Sequence, residues 1–268
     1  MKKPILIGFS TIILICLYLP ILILILFSFN KSKINAHWTG FTFDWYLNLF
    51  HNPQVIDAFM NSLFIAIVTT ILSTILGTIC ALALHKHKYK FSNLISGLVY
   101  LPIVVPDILM GLSLLILFTN FHIELGSITI IIAHVTFCIS YVIILLAARL
   151  SGMSSDLEDA ASDLGATPWQ TFRFVTLPAL MPGIIASALL CFTLSIDDFV
   201  ISFFVSGPGS TTLPIYIYGM VKKGVTPEIN AISTILIVTI IFLMVISEVY
   251  RTKGINNQEE SEKKSYIV

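Results

Sequence analysis

The chain has 268 residues, of which 56% are hydrophobic and only 11% charged, and its mean hydropathy is +0.93. So apolar a composition excludes a soluble globular domain, and the formal net charge of zero makes no case for a nucleic-acid partner. The chain reads as an integral membrane protein of the all-α class.

Six apolar runs of about 20 residues, each long enough to cross roughly 30 Å of hydrocarbon as a helix, lie at about 5–27, 63–84, 94–118, 128–148, 183–205 and 231–250. Together they predict one six-span domain over 1–268. The first run is longer than the apolar core of a signal peptide and has no small-residue cleavage site behind it, so it reads as retained. Lys2, Lys3, Lys86, Lys88, Lys90, Arg149, Arg173, Arg251, Lys253, Lys263 and Lys264 fall on one side, against Lys31, Lys33, Lys222 and Lys223 on the other. The positive-inside rule then places both termini in the cytosol.

After the first span, Phe43, Tyr46, Leu47 and Phe50 form an i, i+3, i+4, i+7 stripe, which predicts a short interfacial helix in the external segment 28–62. Trp45 falls off the stripe and is open to two readings: it faces the mouth of a pathway or a docked protein, or it anchors the membrane interface. His85 and His87 lie in a Lys-rich turn with no third ligand nearby and read as a solvated basic loop. Cys16, Cys80, Cys138 and Cys191 sit inside the spans and read as small core residues. His134, in the fourth span, is expected to make one interhelical hydrogen bond.

Three acids inside the spans need a reason. A carboxylate at mid-helix costs roughly 2.5 to 3.5 kcal/mol on insertion scales, so Asp107, Asp197 and Asp198 oppose insertion by on the order of 8 to 10 kcal/mol. Asp107 and Asp197 each lie roughly 20 Å from the cytosolic end of their spans at ~1.5 Å per residue, so the two depths agree. Pro102 and Pro106 predict a bent helix before Asp107, with freed carbonyls available to a polar cavity. On a continuous helix Asp197 and Asp198 point about 100° apart, while Ser195 shares the face of Asp198. The runs contain no Lys or Arg. A carboxylate-lined cavity without fixed basic partners favours a cation, and Tyr100, Phe199 and Phe203 offer aromatic faces to an alkylammonium group. The competing reading keeps the acids protonated, or pairs them with a partner subunit.

Between the fourth and fifth spans lies a polar insert, 155–178, with helix punctuation throughout. Ser155 and Glu158 form a capping box, and Gly165 supplies a left-handed stop. Thr167 caps a second helix, Pro168 suits its first position, Gln170 closes another capping box, and Pro178 ends it. Trp169 and Phe172, three apart, form an apolar knob suited to a groove on a cytosolic protein. Farther on, 207–211 (GPGST) lacks the lysine of a phosphate loop and reads as a turn, and the polar stretch 257–268 reads as a disordered tail.

The run Asp159, Ala160, Ala161, three residues, Gly165, nine residues, Val175, one residue, Leu177, Pro178 resembles the EAA loop of binding-protein-dependent ABC importer permeases, with Asp159 and Val175 in place of the consensus Glu and Ile. The stretches 194–200 (LSIDDFV), 213–216 (LPIY) and 220–230 (MVKKGVTPEIN) are similar to the polyamine branch of that family, the spermidine and putrescine permeases. The resemblance implies a type I ABC importer permease of the cytoplasmic (inner) membrane. It also implies a second permease, two copies of a cytosolic ATPase that hold ATP and Mg, and an extracytoplasmic polyamine-binding protein. No ATP-binding fingerprint occurs in the sequence, so no cofactor and no catalysis are expected of this chain. The expected pathway residues are Asp107, Asp197, Asp198, Ser195 and Trp45. The expected ATPase-coupling residues are Asp159, Ala160, Ala161, Gly165, Trp169, Phe172, Leu177 and Pro178. Two rival readings are an ABC permease for another cationic solute, such as a basic amino acid, and a proton-coupled carrier. The second would leave the capped insert without a use.

Overall fold

In hydrocarbon each backbone N–H and C=O needs a partner within the chain, and helices meet that demand segment by segment. The structure, a computed structural model, describes residues 3–32, 37–86, 92–154, 156–224, 226–242 and 244–246. Among these residues there is no strand, only an isolated bridge between Asn30 and Phe41. The helices are α1 (Lys3–Phe27), α2 (Asp44–His51), α3 (Pro53–Lys86), α4 (Ser92–Val104), α5 (Asp107–Asn120) and α6 (Ser127–Ser151). Then come α7 (Asp156–Asp163), α8 (Pro168–Thr171), a π-helical turn (Phe172–Thr176), α9 (Leu177–Ile196), α10 (Val200–Val205), α11 (Leu213–Lys223) and α12 (Pro227–Ile246). Among the described residues five helices are long and apolar enough to cross a membrane, or six if the bent pair α4 and α5 counts as one span.

Three expectations need correcting. The run 94–118 is bent far more sharply than a kinked helix: α4 and α5 meet at 107°. Proline has no N–H, so Pro106 deprives the Pro102 carbonyl of its helical donor, and the chain turns there. The run 183–205 is likewise not continuous, because α9 ends at Ile196 and α10 begins at Val200. Pro178 does not stop the second helix of the insert. It sits in the first turn of α9, where a missing N–H is tolerated, and the π-helical turn carries the chain into α9 without a loop.

The chain divides into two compact units. One comprises 1–59 and 213–240, the other 60–212 and 241–268. In the first, Leu49, Val55, Ala58, Leu213, Ala231 and Ile232 are buried together. The helix α2 forms where predicted, with Phe43, Leu47 and Phe50 of the predicted stripe exposed and Leu49 packed inward from another face. In the second unit α6 is the central element. Ile130, Ala133, Cys138, Val142 and Leu146 are buried along it, and α9 packs against it. Cys138 and Cys191 meet there, each thiol directed at the other's backbone carbonyl, whereas Cys16 and Cys80 are exposed rather than core. The two short helices that follow the breaks, α5 and α10, pack closely at Gly111, where a Cβ would come within 2.8 Å of the Phe204 ring.

Candidate functional site

The two breaks, one between α4 and α5 and the other between α9 and α10, open onto a common cavity. Its volume is about 320 Å³, and Asp107, Asp197, Asp198, Phe137, Tyr141 and Phe199 line it. Asp107 is the first residue of α5, where the helix dipole and its unbonded N–H groups favour a negative charge. Asp197 ends α9. The expectation that Asp197 and Asp198 diverge by the helical 100° therefore fails, because no helix runs through them, and both reach the cavity wall. Pro102 lines the cavity too. There is no Lys or Arg among the lining residues.

The three acids differ in what holds them. The Asp198 carboxylate accepts the backbone N–H of Ser202 at 2.7 Å and that of Ile201 at 3.4 Å, so it caps α10. It also accepts from His134 Nε2 at 3.2 Å. Asp107 and Asp197 make no side-chain hydrogen bond to another described residue and no ion pair.

His134 is fully buried and makes more than the one bond expected of it. Its Nδ1 lies 2.7 Å from Ser195 Oγ, and its Nε2 lies 3.0 Å from Ser202 Oγ as well as near Asp198. Since an ionised carboxylate only accepts, Nε2 carries the proton, and Nδ1 is free to accept from the Ser195 hydroxyl in the neutral ring. Ser195 is thus turned to His134 rather than to the cavity. The sequence held two signals for this arrangement. His134, Phe137 and Tyr141 stand at i, i+3 and i+7 on one face of α6, and Asp is a preferred capping residue before an apolar helical start. Tyr100 is exposed and does not line the cavity, nor does Phe203.

Trp45 belongs to the other unit, where it is partly buried against Leu49 and its neighbours and its indole N–H donates to the Asn30 carbonyl at 2.8 Å.

The polar insert has the predicted punctuation. Gly165 has φ +86, with its N–H on the Ser162 carbonyl and that of Ala166 on the Ala161 carbonyl, the double bond of a Schellman stop. Thr167 and Gln170 form the reciprocal capping box, and Pro168 takes the first helical position. Ser155 lies outside the described residues, as do His87 and the 257–268 tail. Glu158 has two partners among the described residues. One oxygen accepts from the buried Thr176 hydroxyl in the π-helical turn, and the other pairs with Lys86 Nζ at 3.1 Å, at the end of α3. The Thr176 hydroxyl, with Lys86 beside it, holds the Glu158 carboxyl below its ordinary value despite partial burial. Asp159 and Ala160 are exposed on α7. Trp169 is exposed, and its ring centroid lies 5.5 Å from that of the half-buried Phe172. Among the described residues no cluster of metal-ligating side chains occurs.

Broken membrane helices around a polar cavity, joined to a capped polar insert, define a membrane permease subunit. Residues 73–252 match the model of the binding-protein-dependent transport system inner membrane component, and the chain belongs to that family. It is 40% identical over 250 residues to the spermidine/putrescine transport system permease protein PotC of Escherichia coli strain K12, covering 92% of this chain and 95% of that protein. It is 43% identical over 228 residues to the putrescine transport system permease protein PotI of the same strain, covering 82% and 81%. Among solved structures, a bacterial ABC transporter that imports the acidic polysaccharide alginate matches with a TM-score of 0.70 at 18% identity over 94% of both chains. That likeness carries the fold, which is the expected ABC importer permease fold.

Proposed function

We propose that this chain is the permease subunit through which an ATP-driven importer passes polyamines, spermidine or putrescine, across the cytoplasmic membrane. One observation carries the reading: three carboxylates from two separate helix breaks line one cavity together with Phe137, Tyr141 and Phe199. Carboxylates match the ammonium groups of the cargo and aromatic faces its charged and methylene portions. The relatives named for spermidine and putrescine support the same cargo. A basic amino acid fits less well, because its own carboxylate would meet acids and no lining Lys or Arg.

Asp107, Asp197 and Asp198 supply the negative charge of the cation pathway, with Ser195 contributing through His134. Trp45 serves the same pathway from the external segment 28–62. The partners are a second permease, a cytosolic ATPase dimer that holds ATP and Mg, and an extracytoplasmic polyamine-binding protein. Coupling to the ATPase runs through Asp159, Ala160, Ala161, Gly165, Trp169, Phe172, Leu177 and Pro178. The exposed apolar side chains Leu157, Leu164, Trp169 and Phe174 on the insert support a docked partner. Both termini are cytosolic.

The test is uptake of labelled putrescine and spermidine per assembled complex, over a range of concentrations, for Asp107→Asn, Asp197→Asn and Asp198→Asn, with Glu124→Gln on the exposed α5–α6 connection as control. Each membrane variant is expected to lose uptake by about tenfold or more, the order of one lost charge-assisted contact, while the control stays near wild type. Full uptake per complex by all three Asn variants would remove the cation cavity from the pathway.

A further inference from the structure

The acids are not equivalent, and the difference lies in what each carboxylate already holds. Asp198 accepts two backbone N–H groups of α10 and the imidazole of His134. Asp107 and Asp197 line the same cavity with no such partners among the described residues. His134 is completely buried, yet it is bonded at both ring nitrogens, to Ser195 at the end of α9 and to Asp198 and Ser202 at the start of α10. One ring thus joins α6 to both sides of the α9–α10 break. A buried polar group in an apolar bundle is costly unless fully satisfied, and one satisfied by three separate partners fixes their arrangement.

We infer that His134 is a positioning residue that commits Asp198 to the helix break, leaving Asp107 and Asp197 as the pair of carboxylates that receives the charged groups of the cargo. The inference rests on the cation-cavity reading above and divides its labour. Asp198 supplies a fixed negative wall and holds α10 in place. Three of its roughly four acceptor positions are already taken, so a bound cation gains less there than at the exposed carboxylates of the other two acids. Residues that bind cargo set its apparent affinity. Residues that hold the break fix the placement of α9 against α10, and their loss is read in the maximal rate rather than in KM.

Two isosteric variants separate the bonds of the ring. In His134→Asn the amide stands near the place of Nδ1 and keeps the Ser195 bond while dropping Asp198. In His134→Gln it reaches the place of Nε2 and keeps Asp198 and Ser202. Uptake of labelled putrescine and spermidine is measured per assembled complex of permeases and ATPase, at concentrations that resolve KM from maximal rate. Asp107→Asn and Asp197→Asn are each expected to raise KM by about tenfold or more, the second by the larger factor, with maximal rate within about threefold of wild type. His134→Asn is expected to lower the maximal rate about tenfold with KM within about threefold, and His134→Gln to recover most of that loss. Asp198→Ala also removes the cap of α10, so its loss of rate combined with that of His134→Asn should fall short of the sum of the two single losses, because the His134–Asp198 bond is counted in both.

Wild-type kinetics in His134→Asn would overturn the positioning role. So would an Asp198→Asn variant whose KM rises like those of the other two acids with its maximal rate intact. If neither His134 variant yields assembled complex, the ring serves folding alone and the inference is equally overturned. Unchanged KM and rate in both Asp107→Asn and Asp197→Asn would instead defeat the cation-cavity reading itself, whatever the His134 variants do.

Discussion

Gly165 is the residue at which the insert can be perturbed without touching the bundle. Its φ of +86 lies in the left-handed region, and a Cβ built there meets no atom within 4 Å. A larger side chain therefore clashes with nothing, and the penalty is conformational. For a non-glycine residue that penalty is roughly 1 to 2 kcal/mol, and for a β-branched one up to about 3 kcal/mol. Relaxing it by leaving the left-handed region breaks the Gly165 to Ser162 and Ala166 to Ala161 hydrogen bonds, each worth about 0.5 to 1.5 kcal/mol. The eight residues of α7 have no buried side chain to resist the change. A helix so short is marginal by itself, so the strain is released as misdirection of α7 and not as unfolding of the protein. A shift of 1 to 3 kcal/mol lowers the population of the native insert about 5- to 150-fold. The graded series is Gly165→Asn, Gly165→Ala and Gly165→Val, because Asn tolerates the left-handed region best and Val least. Membrane level and ATPase co-purification are measured separately from uptake per ATP hydrolysed. Membrane level should hold throughout, while uptake per ATP falls in the order Asn, Ala, Val. Normal coupling in Gly165→Val would refute the argument that this stop aims the insert.

Two further outcomes are expected. On a background with all four cysteines replaced, a single Cys at the exposed Glu124 should react with an impermeant maleimide from outside and one at the exposed Ser162 should not; the reverse pattern would invert the topology. The Glu158 junction has a defined sign with pH. Its carboxyl is held below the ordinary 4.5, so the stability it adds is complete above that value and is lost as pH falls through the lower folded value. Between pH 6 and 8 the α7 amides should exchange at a rate insensitive to Glu158 ionisation. In Glu158→Gln at pH 7 they should exchange up to about fivefold faster, since a half-exposed ion pair contributes only about 0.2 to 1 kcal/mol. Unchanged exchange in that variant would show that Lys86 and Thr176 do not hold the insert.

How much of this was legible depends on the range of the interaction that fixes each feature. The spans and the insert's caps are local: hydropathy over 20 residues, a glycine at a left-handed stop, Thr167 three residues before Gln170. The apolar runs are helical, two of them broken, and the Gly165 and Thr167 caps form as predicted. Pro102 and Pro106 signalled the first break for the same reason, though not its 107° sharpness. The second break carries no proline or glycine at 197–199. It exists because Asp198 turns back onto the N–H groups of α10 and His134 reaches over from α6, a contact 64 residues distant in sequence. Periodicity counted through that point must fail, which is why Asp197 and Asp198 read as divergent. The further partners of Glu158, Lys86 and Thr176, were not legible on the same principle, since they lie outside the turn whose spacing suggests a capping box.

The placement of the acids also resolves the insertion cost that made them conspicuous. A carboxylate in the middle of a continuous membrane helix faces lipid or neighbours with every nearby N–H already used. At a helix start the first four N–H groups are unpaired and oriented toward the charge. Asp107 opens α5 and Asp198 caps α10, so two of the three charges sit where the backbone itself compensates them. Asp197 has no such compensation beyond the cavity, because it closes a helix, where the dipole opposes an anion. Of the three it therefore has most to gain from a bound cation. On that ground Asp197→Asn should ease insertion while costing more apparent affinity for cargo than Asp107→Asn, and equal or reversed KM shifts would count against helix-end electrostatics as the reason the site is built at these breaks.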